Sequence, residues 1–277
     1  MTEFSSRYGP WALVVGASDG VGAEFATRLA RNCVNVVLVA RRQELLDEVA
    51  VDIGESAGIE TRTLAVDLAT DDAAQAIIDA TADLSIGMLV YCAGGDPNYQ
   101  PFLSSPIAAA EFLLRRNCLA LMRLCHHYAA PMVARGSGGI VVFSSGAALA
   151  GGRNMVAYGA TKAFDMVFTE GLWTELHDKG VDVLGLILGM TDTPALRRLE
   201  FERGRLASLD ETPPGAVTAQ SVVDEAFANL GNGPTIATGD DVRMALELVK
   251  SLPRNEVVRL IMQASAEVMG TDARQGS

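Results

Sequence analysis

The sequence is poor in basic residues relative to acidic ones. Its 277 residues include 22 lysines and arginines against 34 aspartates and glutamates, which gives a formal net charge of −12. Such a chain lacks the broad positive surface that attracts nucleic acids and anionic membranes, so we expect neither as a partner. Any ligand that carries phosphate must therefore be held by a local site.

Cysteines are also few, and no metal-binding pattern accompanies them. Cys33, Cys92, Cys118 and Cys125 lie in apolar stretches without a CxxC pair, which predicts reduced, buried thiols rather than disulfides. The stretch NCLALMRLCHH gathers two of them beside two histidines. Because no second group of ligands elsewhere would complete a tetrahedral site, we predict no metal.

Long apolar runs are missing as well. The sequence has no run of about 18 apolar residues, the length that would span a bilayer. The stretch MTEFSSRYGPW lacks the basic and then apolar order of a signal peptide. We therefore expect a cytoplasmic protein without a membrane span. The hydrophobic fraction of 49% is enough for a substantial core.

What the sequence contains is a regular alternation of strand-like and helical patterns. The strand-like runs are largely apolar throughout: WALVV, VNVVLVA, TRTLAVDL, IGMLVYC, GGIVVFSS and VDVLGLIL. Strands that are continuously apolar indicate a parallel sheet covered by helices on both faces. We predict an α/β fold with a single doubly wound parallel sheet, one domain over residues 1–270 and a flexible tail at 271–277.

The character of the chain changes after residue 190. The stretch TDTPALRRLEFERGRLASLDETPPGAVTA is polar, contains prolines and shows no clean strand. Such a segment beside the carboxyl edge of a sheet favours a mobile cover, and we predict a substrate-binding lid over residues 191–218. Beyond it, AQSVVDEAFANLG predicts a helix, GPTIATG a short last strand, and the remainder one or two terminal helices.

Three glycines fill the turn between the first strand and the first helix. In GASDGVG, Gly16, Gly20 and Gly22 allow the backbone to approach a phosphate closely. The N-terminus of the following helix offers unpaired N–H groups and a partial positive charge. Glycines in a tight turn also serve purely structural needs. Their place after the first strand of a doubly wound pattern nevertheless predicts a dinucleotide site.

A tyrosine and a lysine lie about one helical turn apart in AYGATKAFDMV. At about 3.6 residues per turn, Tyr158 and Lys162 share one face of a helix, so their polar ends can reach the same point. The same spacing also arises by chance, when the stem of a surface lysine covers an aromatic ring. The pair therefore acquires a functional meaning only together with the other motifs.

The glycine turn and the tyrosine–lysine helix together resemble the short-chain dehydrogenase/reductase family, whose patterns are TGxxxGxG and YxxxK. The resemblance covers roughly residues 9–195, with Val15 in place of the usual threonine. It implies a Rossmann fold, and it implies assembly through the long helices into a homodimer or homotetramer. The catalytic residues that it implies are Asn117, Ser145, Tyr158 and Lys162.

The chemistry of carbonyl reduction explains these residue types. Hydride addition places negative charge on oxygen, and a phenol is a poor proton source or sink at pH 7 unless its surroundings perturb it. A cation about 4 Å away, at an effective dielectric of about 20, stabilises a phenolate by roughly 4 kcal/mol before desolvation. By resemblance, Lys162 supplies that cation and holds the nicotinamide ribose. Ser145 donates to the substrate oxygen, and Asn117 supports a water that relays protons.

The end of the second strand predicts NADP(H) as the cofactor. An NAD enzyme normally places an acidic residue where the sequence has Ala40 and Arg41, and a guanidinium there suits a 2′-phosphate. Arg42 is a possible second partner. Asp19 favours the opposite preference, since some NADP-preferring relatives carry a basic residue near it. We expect Arg41 to decide, with the Asp19 side chain directed to solvent.

Further contacts to the cofactor follow from the resemblance alone. Asp67 matches the residue that contacts adenine, and Thr193 the residue that fixes the carboxamide, while Leu188, Tyr91 and Cys92 depart from the family motifs. The complete predicted cofactor set is Gly16, Ser18, Asp19, Gly20, Val21, Gly22, Arg41, Arg42, Asp67, Leu68, Ala93, Gly94, Tyr158, Lys162, Gly189, Thr191 and Thr193.

The resemblance implies an NADP(H)-dependent oxidoreductase that interconverts a carbonyl and a secondary alcohol on a small molecule. The opening YGPWALVVGASDGVG is similar to the subgroup of 3-oxoacyl reductases and 17β-hydroxysteroid dehydrogenases. Met155, Met190, Leu196 and Leu199 suit a hydrophobic ligand or are ordinary packing. The alternative is a non-catalytic, NADP(H)-sensing regulator on the same fold. Such proteins commonly lack the tyrosine or the lysine, and both are present here.

Overall fold

The computed structural model describes residues 2–95 and 99–268, with side chains to residue 263; the tail predicted at 271–277 lies outside the described residues. Within these residues, nine strands follow one another in chain order: Trp11–Val15 (β1), Asn35–Ala40 (β2), Thr61–Ala65 (β3), Ile86–Tyr91 (β4), Gly138–Ser145 (β5), Val181–Leu188 (β6), Thr191–Asp192 (β7), Val217–Thr218 (β8) and Thr235–Thr238 (β9).

Seven of these strands form one parallel sheet in the order β3-β2-β1-β4-β5-β6-β9, and β7 pairs with β8 separately. Because β1 lies between β2 and β4, the chain leaves it first towards one edge and later towards the other. A crevice therefore opens beyond the carboxyl ends of β1 and β4, where ligands bind in sheets of this type.

Eleven α-helices are described: Glu3–Tyr8 (α1), Gly20–Arg31 (α2), Gln43–Ala57 (α3), Ala73–Ala80 (α4), Ile107–Leu113 (α5), Ala120–Arg135 (α6), Val156–Leu176 (α7), Pro194–Glu202 (α8), Ala219–Asn229 (α9), Asp240–Ser251 (α10) and Arg254–Val268 (α11). A π-helical segment, Leu114–Leu119, joins α5 to α6. None of the described helices has the length and apolar character needed to cross a membrane.

Two hydrophobic cores lie on opposite faces of the sheet. Along β1, Ala12 and Val14 enter the core beneath α2, α3 and α9, whereas Leu13 and Val15 enter the core beneath α4, α6 and α7. All four side chains are fully buried. Burial on both faces explains why the strands are apolar throughout, and it confirms the predicted doubly wound α/β fold.

Some local features differ from the sequence prediction. Helix α1 was not predicted, since its six residues carry no clear period; it begins at a capping box in which the Thr2 side chain accepts a hydrogen bond from Ser5 N. The predicted lid contains two short strands as well as α8. Of the four cysteines predicted to be buried, Cys118 and Cys125 are buried and Cys92 is half-buried, whereas Cys33 is exposed in the turn after α2.

Candidate active site

The three glycines of the turn pack so closely against neighbouring atoms that a side chain does not fit at any of their positions. A Cβ at Gly16 would lie 2.7 Å from the Ala93 N atom, and a Cβ at Gly22 would lie 2.0 Å from the Gly16 O atom. At Gly20, φ is +57° and a Cβ would lie 2.9 Å from Thr193 Cγ2. The turn thus brings the N-terminus of α2 to the crevice as bare backbone, which fits the pyrophosphate of a dinucleotide.

Gly22→Ala is expected to weaken binding of NADPH, the cofactor predicted from the sequence, at least about tenfold. The added methyl group cannot coexist with the Gly16 carbonyl, so the turn must move away from the phosphate position. Fluorescence titration with NADPH measures the effect. Gly171→Ala is the matched control, because Gly171 lies in α7 with no neighbour within 4 Å of the added Cβ. Binding of NADPH to Gly22→Ala as tight as to that control would contradict the prediction.

Helix α7 holds Tyr158 and Lys162 against the sheet. Both side chains are buried, and the Lys162 Nζ atom donates to the Phe143 carbonyl at 2.7 Å and to Asp165 Oδ2 at 2.9 Å. The Tyr158 ring packs edge-on against Tyr99 at 6.0 Å between centroids. In the described part of the chain, no protein group hydrogen-bonds the Tyr158 hydroxyl, which is therefore available to a ligand.

The end of β5 is tied to α7 by Ser144, whose Oγ donates to the Lys162 carbonyl oxygen at 2.8 Å. The neighbouring Ser145 turns towards the crevice, and its Oγ accepts a hydrogen bond from Ala147 N at 3.2 Å. A hydroxyl that accepts a bond still has its own proton to donate. Ser145 can therefore donate to a ligand oxygen beside Tyr158.

Asn117 is fully buried in the π-helical segment, behind the wall of the crevice. Its Nδ2 donates to Thr161 Oγ1 at 2.8 Å, and its Oδ1 accepts from Arg116 Nε at 2.9 Å. A Cβ at Gly94 would lie 2.6 Å from Lys162 Nζ and 3.3 Å from Asn117 Oδ1. The three predicted residues Asn117, Lys162 and Gly94 thus meet at one point.

One cavity of about 990 Å³ runs from the glycine turn to the C-terminal helices. The predicted residues that line it are Gly16, Asp19, Gly20, Val21, Gly22, Arg41, Gly94, Ser145, Tyr158, Lys162, Gly189, Thr191 and Thr193. The predicted residues that do not line it are Ser18, Arg42, Asp67, Leu68, Ala93 and Asn117. Asp67 is exposed and Leu68 is buried beside it.

The far wall of the cavity is apolar and consists of residues that the sequence analysis did not single out. They come from α10 and α11 and include Val242, Ala245, Val249, Val257 and Leu260. Val242, Ala245 and Val249 are spaced as one helical face, so the apolar stripe was visible in the sequence. The sequence did not show that this stripe faces the cavity, because only the tertiary fold brings α10 and α11 over the crevice.

The two arginines after β2 have different surroundings. Arg42 Nη2 donates to Asp19 Oδ2 at 2.9 Å, and Arg198 of α8 lies 3.9 Å from the same oxygen. Asp19 is thus paired across the turn rather than directed to solvent as predicted. Arg41 lines the cavity, and within the described residues no carboxylate pairs with its guanidinium. Arg41 therefore has its charge available for an anionic ligand.

Comparisons with known proteins place the chain in one family of enzymes. The family model for short chain dehydrogenase matches residues 10–203. A 7beta-hydroxysteroid dehydrogenase of Collinsella aerofaciens is 32% identical over 84% of this chain and 87% of that protein. The human very-long-chain 3-oxoacyl-CoA reductase is 31% identical over 81% of this chain and 71% of that protein. A solved short-chain dehydrogenase from Sphingobium yanoikuyae in complex with NADPH is 30% identical, with a TM-score of 0.71 covering 88% of this chain and 96% of that one.

Proposed function

Because the chain belongs to the short-chain dehydrogenase family of oxidoreductases, we propose that it interconverts a carbonyl and a secondary alcohol on a hydrophobic small molecule, with NADP(H) as cofactor. The observation that carries the proposal is a cavity that joins three features. These are the bare glycine turn, the hydroxyls of Ser145 and Tyr158 beside Lys162, and the apolar wall from α10 and α11.

The residues divide the work of carbonyl reduction between them. The bound nicotinamide supplies a hydride to the carbonyl carbon. Ser145 and Tyr158 hold the carbonyl oxygen between two hydroxyl donors, and the Tyr158 hydroxyl gives its proton to that oxygen as charge develops. Lys162 stabilises the phenolate that remains, because its ammonium lies in the same buried region. In the reverse reaction the same phenolate accepts the alcohol proton.

The cofactor preference rests on Arg41. A guanidinium that no carboxylate of the described residues pairs with, at the adenosine end of the cleft, can hold a 2′-phosphate through a charge-assisted bidentate contact. The Sphingobium relative solved with NADPH supports the same assignment. Among the remaining predicted contacts, Gly189, Thr191 and Thr193 line the cavity, and we assign them to the nicotinamide end of the cofactor.

Arg41→Ala is expected to raise the KM for NADPH about 10- to 100-fold and to leave the KM for NADH within about twofold. The lost interaction is a charge-assisted pair with the phosphate, which only NADPH carries. Initial rates with the two cofactors measure the effect. Arg42→Ala is the control, since its guanidinium is already paired with Asp19. Equal losses for NADPH and NADH in Arg41→Ala would contradict the prediction.

The substrate class follows from the far wall of the cavity. Its apolar side chains exclude water from a ligand much larger than a simple ketone. The relatives described above are named as a 7beta-hydroxysteroid dehydrogenase and a very-long-chain 3-oxoacyl-CoA reductase. We assign this chain a steroid-like or fatty-acyl carbonyl substrate. Residues 191–218, as a lid, and the C-terminal helices together cover it.

The experiment that tests this function is NADPH oxidation against a panel of ketosteroids, 3-oxoacyl thioesters and small aldehydes or ketones. Turnover of a bulky apolar member but not of the small carbonyls supports the proposal. Turnover confined to the small carbonyls contradicts the assigned substrate class. Binding of NADPH without turnover of any member favours the non-catalytic regulator instead.

A further inference from the structure

A buried acid accompanies the tyrosine and the lysine on α7. Tyr158, Lys162 and Asp165 occupy positions i, i+4 and i+7, which lie on one face of a helix. Asp165 is 2% exposed, and its Oδ2 accepts a hydrogen bond from Lys162 Nζ at 2.9 Å. Its other oxygen, Oδ1, has no hydrogen-bond partner among the residues that the structure describes.

This pair is poorly explained as a stabilising contact. The cost of removing two charges from water can exceed their attraction, and a buried oxygen without a partner adds to that cost. Burial raises the pKa of Asp165 to about 6, although the Lys162 ammonium lowers it. The fold thus disfavours the charge that it encloses. We therefore look for the effect of the Asp165 carboxylate on its hydrogen-bond partner, Lys162.

Lys162 has three N–H donors, and the structure accounts for two. One goes to the Phe143 carbonyl and one to Asp165, so a third remains for the cavity that Lys162 lines. Two fixed acceptors prevent the flexible stem from moving the ammonium away from Tyr158. The negative charge of Asp165 also opposes the field of the ammonium at the phenol.

We infer that Asp165 is a positioning residue for the proposed reaction: its carboxylate holds the Lys162 ammonium at the floor of the cavity and offsets part of the ammonium's stabilisation of the Tyr158 phenolate. The inference rests on the proposed function, since Tyr158 is the proton donor there. In this arrangement Asp165 touches neither substrate nor cofactor and acts through Lys162.

The other titratable groups that face Asp165 are few. Tyr91 of β4, Cys118 of the π-helical segment and Cys125 of α6 surround it, and burial raises the pKa of each, so all three are neutral near pH 7. Arg116 contributes a positive charge that favours the Asp165 carboxylate. Lys162 and Arg116 are therefore the cations that face Asp165 from the described elements.

The test is the pH dependence of kcat for carbonyl reduction in Asp165→Asn. Reduction needs the protonated phenol, so its rate falls at alkaline pH. Without the carboxylate, the ammonium acts on the phenol unopposed, and we expect the alkaline limb to move about one unit to lower pH. Asp165→Glu should restore it. Asp182→Asn is the matched control. Asp182 forms an ion pair with Arg7 and lies near the N-terminal end of β6, whereas the cavity lies at the C-terminal end of that strand.

A purely structural role would lower kcat equally at every pH and leave the limb in place, and that result would overturn the inference. A second readout needs no turnover. The tyrosinate absorbance of each protein, minus that of its Tyr158→Phe partner, reports the titration of this phenol directly. A lower midpoint in Asp165→Asn supports the inference even when no panel substrate reacts, whereas an unmoved midpoint overturns it. Asp165→Ser replaces Asp165→Asn in this titration should the latter not fold.

Discussion

Tyr158→Phe is expected to lower kcat for carbonyl reduction by about 10³-fold, while NADPH binding weakens by less than about tenfold, the loss of one hydrogen bond to the predicted cofactor. The substitution removes only the hydroxyl, which no protein group in the described part of the chain engages, so the ring keeps its packing against Tyr99. The proton for the developing alkoxide then has to come from water in an apolar cavity. Rates with the best panel substrate and fluorescence titration with NADPH measure the two quantities.

Tyr128→Phe provides the control for this prediction. Tyr128 is also buried, and its hydroxyl lies 2.6 Å from Thr81 Oγ1, so the same chemical change removes a hydrogen bond far from the cavity. We expect a modest loss of stability and an unchanged kcat. A Tyr158→Phe variant that keeps more than about a tenth of the native rate would remove this tyrosine from the mechanism.

The sequence was sufficient to predict those parts of the site whose residues lie close together along the chain. The glycine turn and the Tyr158–Lys162 spacing each lie within one short segment, so their geometry follows from the strand and helix that carry them. The order of apolar runs predicted the doubly wound sheet for the same reason, because the central strands are buried on both faces of the sheet. Asn117, in a different helix, was placed by resemblance, and its role stays a prediction.

Other parts of the site depend on contacts between distant segments. The pairing of Asp19 with Arg42 joins the turn after β1 to the residue after β2, and Arg198 approaches from α8. The apolar wall requires α10 and α11 to fold back over the crevice. Asp165 was visible in the sequence three residues after Lys162. Its importance was not visible, because the burial of Asp165 and the lack of a partner for its Oδ1 among the described residues are properties of the fold.

Lys162→Met should destabilise the fold by about 3–5 kcal/mol at pH 8, because it leaves the Asp165 carboxylate buried without its cation. The pKa of Asp165 is already raised from 3.8 to about 6 by burial, and loss of the ammonium removes the main influence that opposes this rise. A group whose pKa is higher in the folded state favours folding when protonated and loses that contribution as pH increases. The penalty is therefore expected to be smaller at pH 5 than at pH 8.

Urea unfolding followed by circular dichroism at both pH values measures this penalty. The double variant Lys162→Met/Asp165→Leu separates the penalty of an unpaired buried charge from the effect of altered packing. It removes both ions and fills the space with apolar atoms. Its stability should recover most of the loss at pH 8, because a buried pair replaced by hydrophobic residues is often neutral or stabilising. An equal penalty for Lys162→Met at both pH values would show that the lysine stem, and not the carboxylate left behind, accounts for the effect. The double variant lacks the Lys162 ammonium, so recovered stability without recovered turnover would separate the role of Lys162 in folding from its role at Tyr158.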